Sequence, residues 1–177
     1  MKTLYLLRHA KSSWKDDTLD DFDRPLNKRG RTAATAMGAF LAEQNIAPSQ
    51  VLCSSAKRTR ETLERIQEQL ATAVPVRFEK GLYMAEAPAL LRRLRRLNDS
   101  LASVMLITHS PGIAHLALLL TDARSEPQRS KLNAKFSTGS LAVIDADVAR
   151  WADLVPQSGY LRSFTRPRDL QHEHEEA

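Results

Sequence analysis

Short apolar runs recur along this chain, and stretches with a helical composition separate them. The runs are TLYLL (Thr3–Leu7), QVLCS (Gln50–Ser54), SVMLIT (Ser103–Thr108) and SLAVID (Ser140–Asp145). Each reads as a short buried strand, and Val76–Phe78 adds a further candidate. Between them, RTAATAMGAFLAEQ suggests a helix from Arg29 to about Asn45, with alanines and Gly38 allowing close packing on a sheet. AKRTRETLERIQEQL suggests a helix reaching about Ala71, and Pro88 suits the first turn of a leucine-rich helix. Pro111-Gly112 breaks the chain before a helix over Ile113–Leu120. Strands alternating with helices predict an α/β fold, a three-layer α/β/α sandwich with a mostly parallel central sheet. A last strand is expected near Trp151–Val155, and loops at Lys11–Asn27 and at 123–135. Residues 1–165 are expected to form one domain, and the polar stretch 166–177 a disordered tail.

The 177 residues carry 42% hydrophobic and 27% charged side chains, ordinary values for a soluble globular protein. No apolar run approaches membrane length, and the first strand is too short for a signal peptide. One cysteine, Cys53, precludes an internal disulfide and suits a reducing cytoplasm. The net charge of +5 favours anionic ligands or partners. The most basic segment is LLRRLRRL, in which Arg92, Arg93, Arg95 and Arg96 flank leucines at helical spacing. No aromatic interleaving and no nucleic-acid motif accompanies it, so a nucleic-acid partner is not expected. His172 and His174 have the spacing of a metal-ligand pair, but in a polar tail they read as solvated.

The chemistry gathers at strand ends. The first strand ends at Arg8-His9, the second at Ser54-Ser55 just before Arg58, and SVMLIT at His109. In an open parallel sheet these carboxyl ends line one crevice, where ligands bind. Two arginines and two histidines converging there form an anion trap. A guanidinium fork matches phosphate oxygens, and helix starts after Ala56 and Pro111 add backbone N–H groups.

These residues also carry a resemblance. Arg8-His9-Ala10 is similar to the Arg-His-Gly signature of the histidine phosphatase superfamily (phosphoglycerate mutase-like). Ser54-Ser55-Ala56-Lys57-Arg58-Thr59-Arg60-Glu61-Thr62 resembles its second arginine motif, and Ile107-Thr108-His109-Ser110-Pro111 its second histidine motif. Asp23-Arg24-Pro25-Leu26-Asn27-Lys28-Arg29-Gly30 resembles a further stretch of the family. Chain length, RHAKSSW and LYMAEAPALL resemble the small SixA-type phosphohistidine phosphatases. Ala10 stands where the family has glycine, so the backbone there must avoid conformations that only glycine tolerates.

The resemblance implies His9 as nucleophile, with Arg8, Arg58 and His109 holding the phosphoryl oxygens; Ser12, just beyond the first motif, and Ser110, next to His109, are further candidate phosphate contacts by position. No metal or cofactor is expected, because side chains supply the cations of the site and no ligand cluster is seen. The expected substrate is phosphohistidine in a protein, such as a phosphorelay histidine phosphotransfer domain. The superfamily places a proton-donating carboxyl beyond the third strand, where Glu79 and Glu86 are the candidates. If one of them is an acid, a small-molecule phosphomonoester becomes the alternative substrate. A phosphate-binding module without catalysis is the other alternative, opposed by the intact His9. The loop aspartates Asp16, Asp17, Asp20, Asp21 and Asp23 are expected to stay solvated rather than bind magnesium. Cys53 is expected to pack inside its strand. Trp14 either walls the pocket or packs beneath it.

Overall fold

The computed structural model describes residues 1–172. The strands are β1 (Lys2–Arg8), β2 (Gln50–Ser54), β3 (Val76–Glu79), β4 (Ser103–Thr108), β5 (Leu141–Ala146) and β6 (Gly159–Thr165). They form one sheet in the order β3-β2-β4-β1-β5-β6. β1, β2, β3 and β4 pair in parallel, while β5 runs antiparallel to β1 and β6 antiparallel to β5.

The helices are α1 (Lys28–Glu43), α2 (Lys57–Gln67), α3 (Ala87–Leu94), α4 (Gly112–Leu120), α5 (Gln128–Ala134) and α6 (Pro167–His172). Successive strand residues point to opposite faces, and the core divides accordingly. Tyr5 and Leu7 join Met37, Leu41, Leu63, Ile66 and Leu170, so α1, α2 and α6 cover one face. Leu4 and Leu6 join Leu90, Leu94, Ile113, Leu116 and Leu132, so α3, α4 and α5 cover the other. The result is the expected three-layer sandwich with a mostly parallel sheet.

Register positions the chemistry. Leu6 lies opposite Leu106 and Arg8 opposite Thr108, so β1 and β4 end side by side at the centre of the sheet. Cys53 lies opposite Ile107, which brings the end of β2 alongside.

Three expectations are corrected. Trp151–Asp153 is a single 3-10 turn, and the last strand is β6. Trp151 is fully buried, its indole N–H donating to the Leu101 carbonyl at 2.9 Å. The β6 sequence GYLRSFT buries Leu161 and Phe164 but exposes Tyr160 and Arg162 at the sheet edge, so no continuous apolar run marks it. The stretch 123–135 holds a 3-10 turn and α5, which buries only Leu132 and is too short to show a helical period. Residues 167–172, expected within a tail, form α6. Leu170 packs on the α1 face, and Arg166 pairs with Asp169 at 2.9 Å. The side chain of His172 and the whole of His174 lie outside the described residues.

The basic helix is fixed by structural contacts. Leu90, Leu91 and Leu94 are buried, Arg93 pairs with Glu79, and Arg95 donates to the Leu154 carbonyl at 2.7 Å.

Candidate active site

A cleft of about 890 Å³ opens over the ends of β1, β2 and β4. Arg8, His9, Ser12, Arg58, His109 and Ser110 all line it, so the structure brings together the residues expected from three separate segments. His9 and His109 are nearly buried, with ring centroids 5.2 Å apart.

The His9 ring is held by its own chain. Nδ1 lies 2.7 Å from the Ala10 carbonyl oxygen, which can only accept, so Nδ1 carries the proton in the neutral ring. Nε2 is left with a free lone pair. Burial above all pushes the His9 pKa down to about 3, and the Arg58, Arg8 and Arg24 charges add to that, so the ring is neutral at physiological pH. Ala10 is not among the left-handed residues (Asn45, Met84 and Gln157 are the non-glycine ones), so alanine replaces the family's glycine without backbone strain.

Two neighbours fix this corner. Thr62 Oγ1 accepts the Ala10 N–H at 3.0 Å. The Gly139 N–H reaches the Arg8 and His9 carbonyls at 3.0 and 2.9 Å. Gly139 has φ of 77°, and a Cβ there would meet Pro167 Cγ at 2.9 Å, so glycine is required at this close approach.

His109 Nε2 lies 2.8 Å from Ser54 Oγ, while its buried Nδ1 has no partner among the described residues. Burial first, then the His9 and Arg58 charges, lower its pKa to about 3. Arg8 donates to the Phe136 carbonyl at 2.7 Å. Burial and the Arg58 charge push the Arg8 pKa below its ordinary value. The site thus concentrates positive charge that an entering anion would relieve.

Asp21 is the member that reading the sequence did not single out from its neighbouring aspartates. Arg58 donates to its backbone carbonyl at 2.6 Å and to its carboxylate at 3.0 Å. Arg24 donates to the same carboxylate at 2.9 and 3.0 Å, and the Tyr83 hydroxyl donates a further short hydrogen bond. Burial alone would raise the Asp21 pKa, but the hydrogen bonds from Tyr83, Arg24 and Arg58 outweigh it and hold the carboxyl well below its ordinary range. Nothing in the aspartate-rich run separates Asp21 from Asp20 or Asp23 by residue type. Arg24 is itself buried, donating to Ser12 Oγ at 2.7 Å and stacking 3.5 Å from the exposed Trp14 ring. Trp14 therefore walls the cleft.

The two glutamates considered as proton donors do not join the cleft. Glu79 takes both Oε atoms to Arg93, with contacts of 2.6 to 3.2 Å. Glu86 is exposed at the N-cap of α3 and does not line the cleft. Cys53 packs in the sheet core, and burial pushes its thiol up to about 12. Among the described residues no cluster of three or more His, Cys, Asp or Glu is placed to hold a metal.

This arrangement can bind a phosphoryl group among fixed cations and present a neutral imidazole lone pair to it. Comparison with known proteins points to a phosphatase family. The model of the histidine phosphatase superfamily (branch 1) matches residues 4–83. An uncharacterized protein of Mycobacterium leprae is 32% identical, over 92% of this chain and 100% of that protein. The phosphohistidine phosphatase SixA of Escherichia coli is 26% identical, over 81% of this chain and 85% of its own length. A Nakamurella multipartitia structure, named provisionally as phosphohistidine phosphatase SixA, superposes with a TM-score of 0.81 at 29% identity. The match covers 94% of this chain and 96% of that one. With its strand-end histidines and arginines in one cleft on the same fold, this chain belongs to the histidine phosphatase superfamily.

Proposed function

We propose that the protein hydrolyses phosphohistidine in a protein substrate, through a covalent phosphohistidine on His9. The observation that carries this reading is the hydrogen bond from His9 Nδ1 to Ala10, which leaves Nε2 free as an unprotonated nucleophile. Nε2 attacks phosphorus and the P–N bond to the substrate ring breaks, its electron pair staying on the substrate nitrogen. With a proton on its far nitrogen the departing ring is neutral imidazole. Water then cleaves the His9–phosphorus bond, releasing inorganic phosphate and restoring His9. Arg8, Arg58 and His109 stabilise the equatorial oxygens, with Ser12 and Ser110 at the edge of that set. His109, neutral in the empty site, gains basicity once a phosphoryl dianion lies against it.

The absence of a free acid in the cleft favours P–N over P–O cleavage. Among the described residues Asp21 is the one carboxylate lining the cleft, and its hydrogen bonds keep it ionised. An alkoxide leaving group needs a proton, whereas imidazole, with a conjugate acid near pKa 6.5, does not need a strong donor. A phosphomonoester would require Asp21 to be released from Arg24, Arg58 and Tyr83 and protonated.

The cations of the site are side chains, so the reaction proceeds without a metal. The buried thiol of Cys53 fits a reducing compartment, and we place the enzyme in the cytoplasm. Among the described residues no helix is long and apolar enough to cross a membrane. The deciding experiment is turnover of a phosphohistidine peptide beside a sugar phosphate, each with and without chelator. Faster hydrolysis of the peptide, unaffected by chelator, is expected. Preference for the sugar phosphate overturns the substrate, and chelator loss restored by magnesium overturns the metal-free mechanism.

A further inference from the structure

The cleft extends well beyond the space that a phosphoryl group and one imidazole ring fill. Its outer wall carries Lys11, Lys28, Arg29, Lys135 and Arg168, contributed by the loop after β1, the first turn of α1, the segment after α5, and α6. All five are exposed, and among the described residues none lies in an ion pair. Exposed cations such as Arg77 and Arg92 also lie outside the ion pairs of the described residues, but these five are gathered on the wall of one cleft.

Two of these cations sit where helix physics disfavours them. α1 opens Lys28-Arg29-Gly30-Arg31 with no acidic residue in its first turn. The N-terminal end of a helix already carries partial positive charge and favours Asp or Glu. Lys28 and Arg29 add to that charge, at a cost to the helix, and both face the cleft. Charge that folding opposes is explained by a ligand that needs it.

Apolar surface lies in the same wall. Trp14 is 75% exposed and Met84 47%, both lining the cleft. An exposed tryptophan stacked on a buried arginine is the kind of anchor that dominates protein interfaces.

Resting on the reading of the site as a phosphohistidine phosphatase, we propose that this outer wall is the docking surface for an acidic segment of the protein that carries the phosphohistidine. Carboxylates flanking the phosphorylated ring meet Lys11, Lys28, Arg29, Lys135 and Arg168, while an apolar residue of the partner covers Trp14. Specificity then comes from charge around the modified histidine, and the reacting phosphoryl group is the smaller part of recognition.

The test uses three substrates: a phosphohistidine peptide flanked by glutamates, the same peptide flanked by lysines, and free phosphohistidine. At low salt the wild type is expected to favour the acidic peptide over the basic one by about tenfold or more in kcat/KM, with the preference shrinking as salt rises. Combined Lys28→Glu, Arg29→Glu and Lys135→Glu is expected to erase or reverse that preference and leave free phosphohistidine turnover within about twofold. A melting temperature equal to or above wild type shows that the variant folds, since glutamates suit the start of α1. Equal use of both peptides by the wild type, or an equal loss on all three substrates in the variant, overturns the proposal. If the wild type cleaves no phosphohistidine substrate but hydrolyses a sugar phosphate, the reading of the reaction fails and the docking proposal falls with it.

Discussion

The Asp21 carboxylate lies 3.0 Å from the Arg58 guanidinium, on the arginine that faces the proposed phosphate site. A carboxylate there is held by the same donors that a phosphoryl oxygen would use. Asp21 and a bound phosphate therefore compete for Arg58 and repel each other.

Replacing Asp21 with asparagine keeps the shape and removes the charge. Inorganic phosphate should inhibit Asp21→Asn at roughly tenfold lower concentration, a change of about 1.4 kcal/mol. Product inhibition curves measure this directly. Weaker inhibition in the variant would mean that Asp21 orients Arg58 rather than competing at it.

Stability should depend on pH through the two buried histidines. Both His9 and His109 have folded pKa values lowered to about 3, against about 6.5 in an unfolded chain. Between these values the unfolded state binds more protons, so stability is full above pH 6.5 and is lost as pH falls toward 3. Each histidine contributes a slope of up to about 1.4 kcal/mol per pH unit in that window. Urea unfolding from pH 4.5 to 7.5 tests it. His109→Gln should flatten the slope, and an unchanged slope would show that His109 is not the group responsible.

The leaving group separates the two enzyme readings. On a phosphohistidine peptide, Glu79→Gln and Glu86→Gln should each leave kcat/KM within about threefold, because neither side chain reaches the cleft. Arg58→Ala should cost on the order of 10²-fold or more, the effect of removing a fixed donor to developing charge. Glu79→Gln should instead lower stability by about 1 kcal/mol, through its half-buried pairing with Arg93. Steady-state kinetics with a matched unfolding curve checks both. A large kinetic loss in either glutamate variant would restore a proton donor to the mechanism.

The central site was legible because its residues stand at the ends of apolar runs. Leu4–Leu7 and Val104–Ile107 are buried on both faces, so they read as strands, and a parallel sheet brings their carboxyl ends together. Arg8, His9 and His109 follow from that geometry, and Arg58 from the start of the next helix. β6 was hidden because an edge strand alternates exposed and buried residues, as Tyr160, Leu161 and Arg162 do. α5 and α6 were hidden because each is a short helix pinned mainly by one leucine, Leu132 or Leu170. The roles of Asp21 and Glu79 depend on long-range partners, Tyr83 and Arg58 for one and Arg93 for the other, which no local pattern announces.

The most direct test of the account is the covalent state of His9. During turnover of a ³²P-labelled phosphohistidine peptide, quenched in base and mapped by proteolysis, the wild type should carry acid-labile, base-stable label on the peptide containing His9. His9→Ala should carry none and should lose on the order of 10³-fold or more in rate while keeping its fold. Wild-type turnover in His9→Ala, or label on another residue, would contradict nucleophilic catalysis by His9.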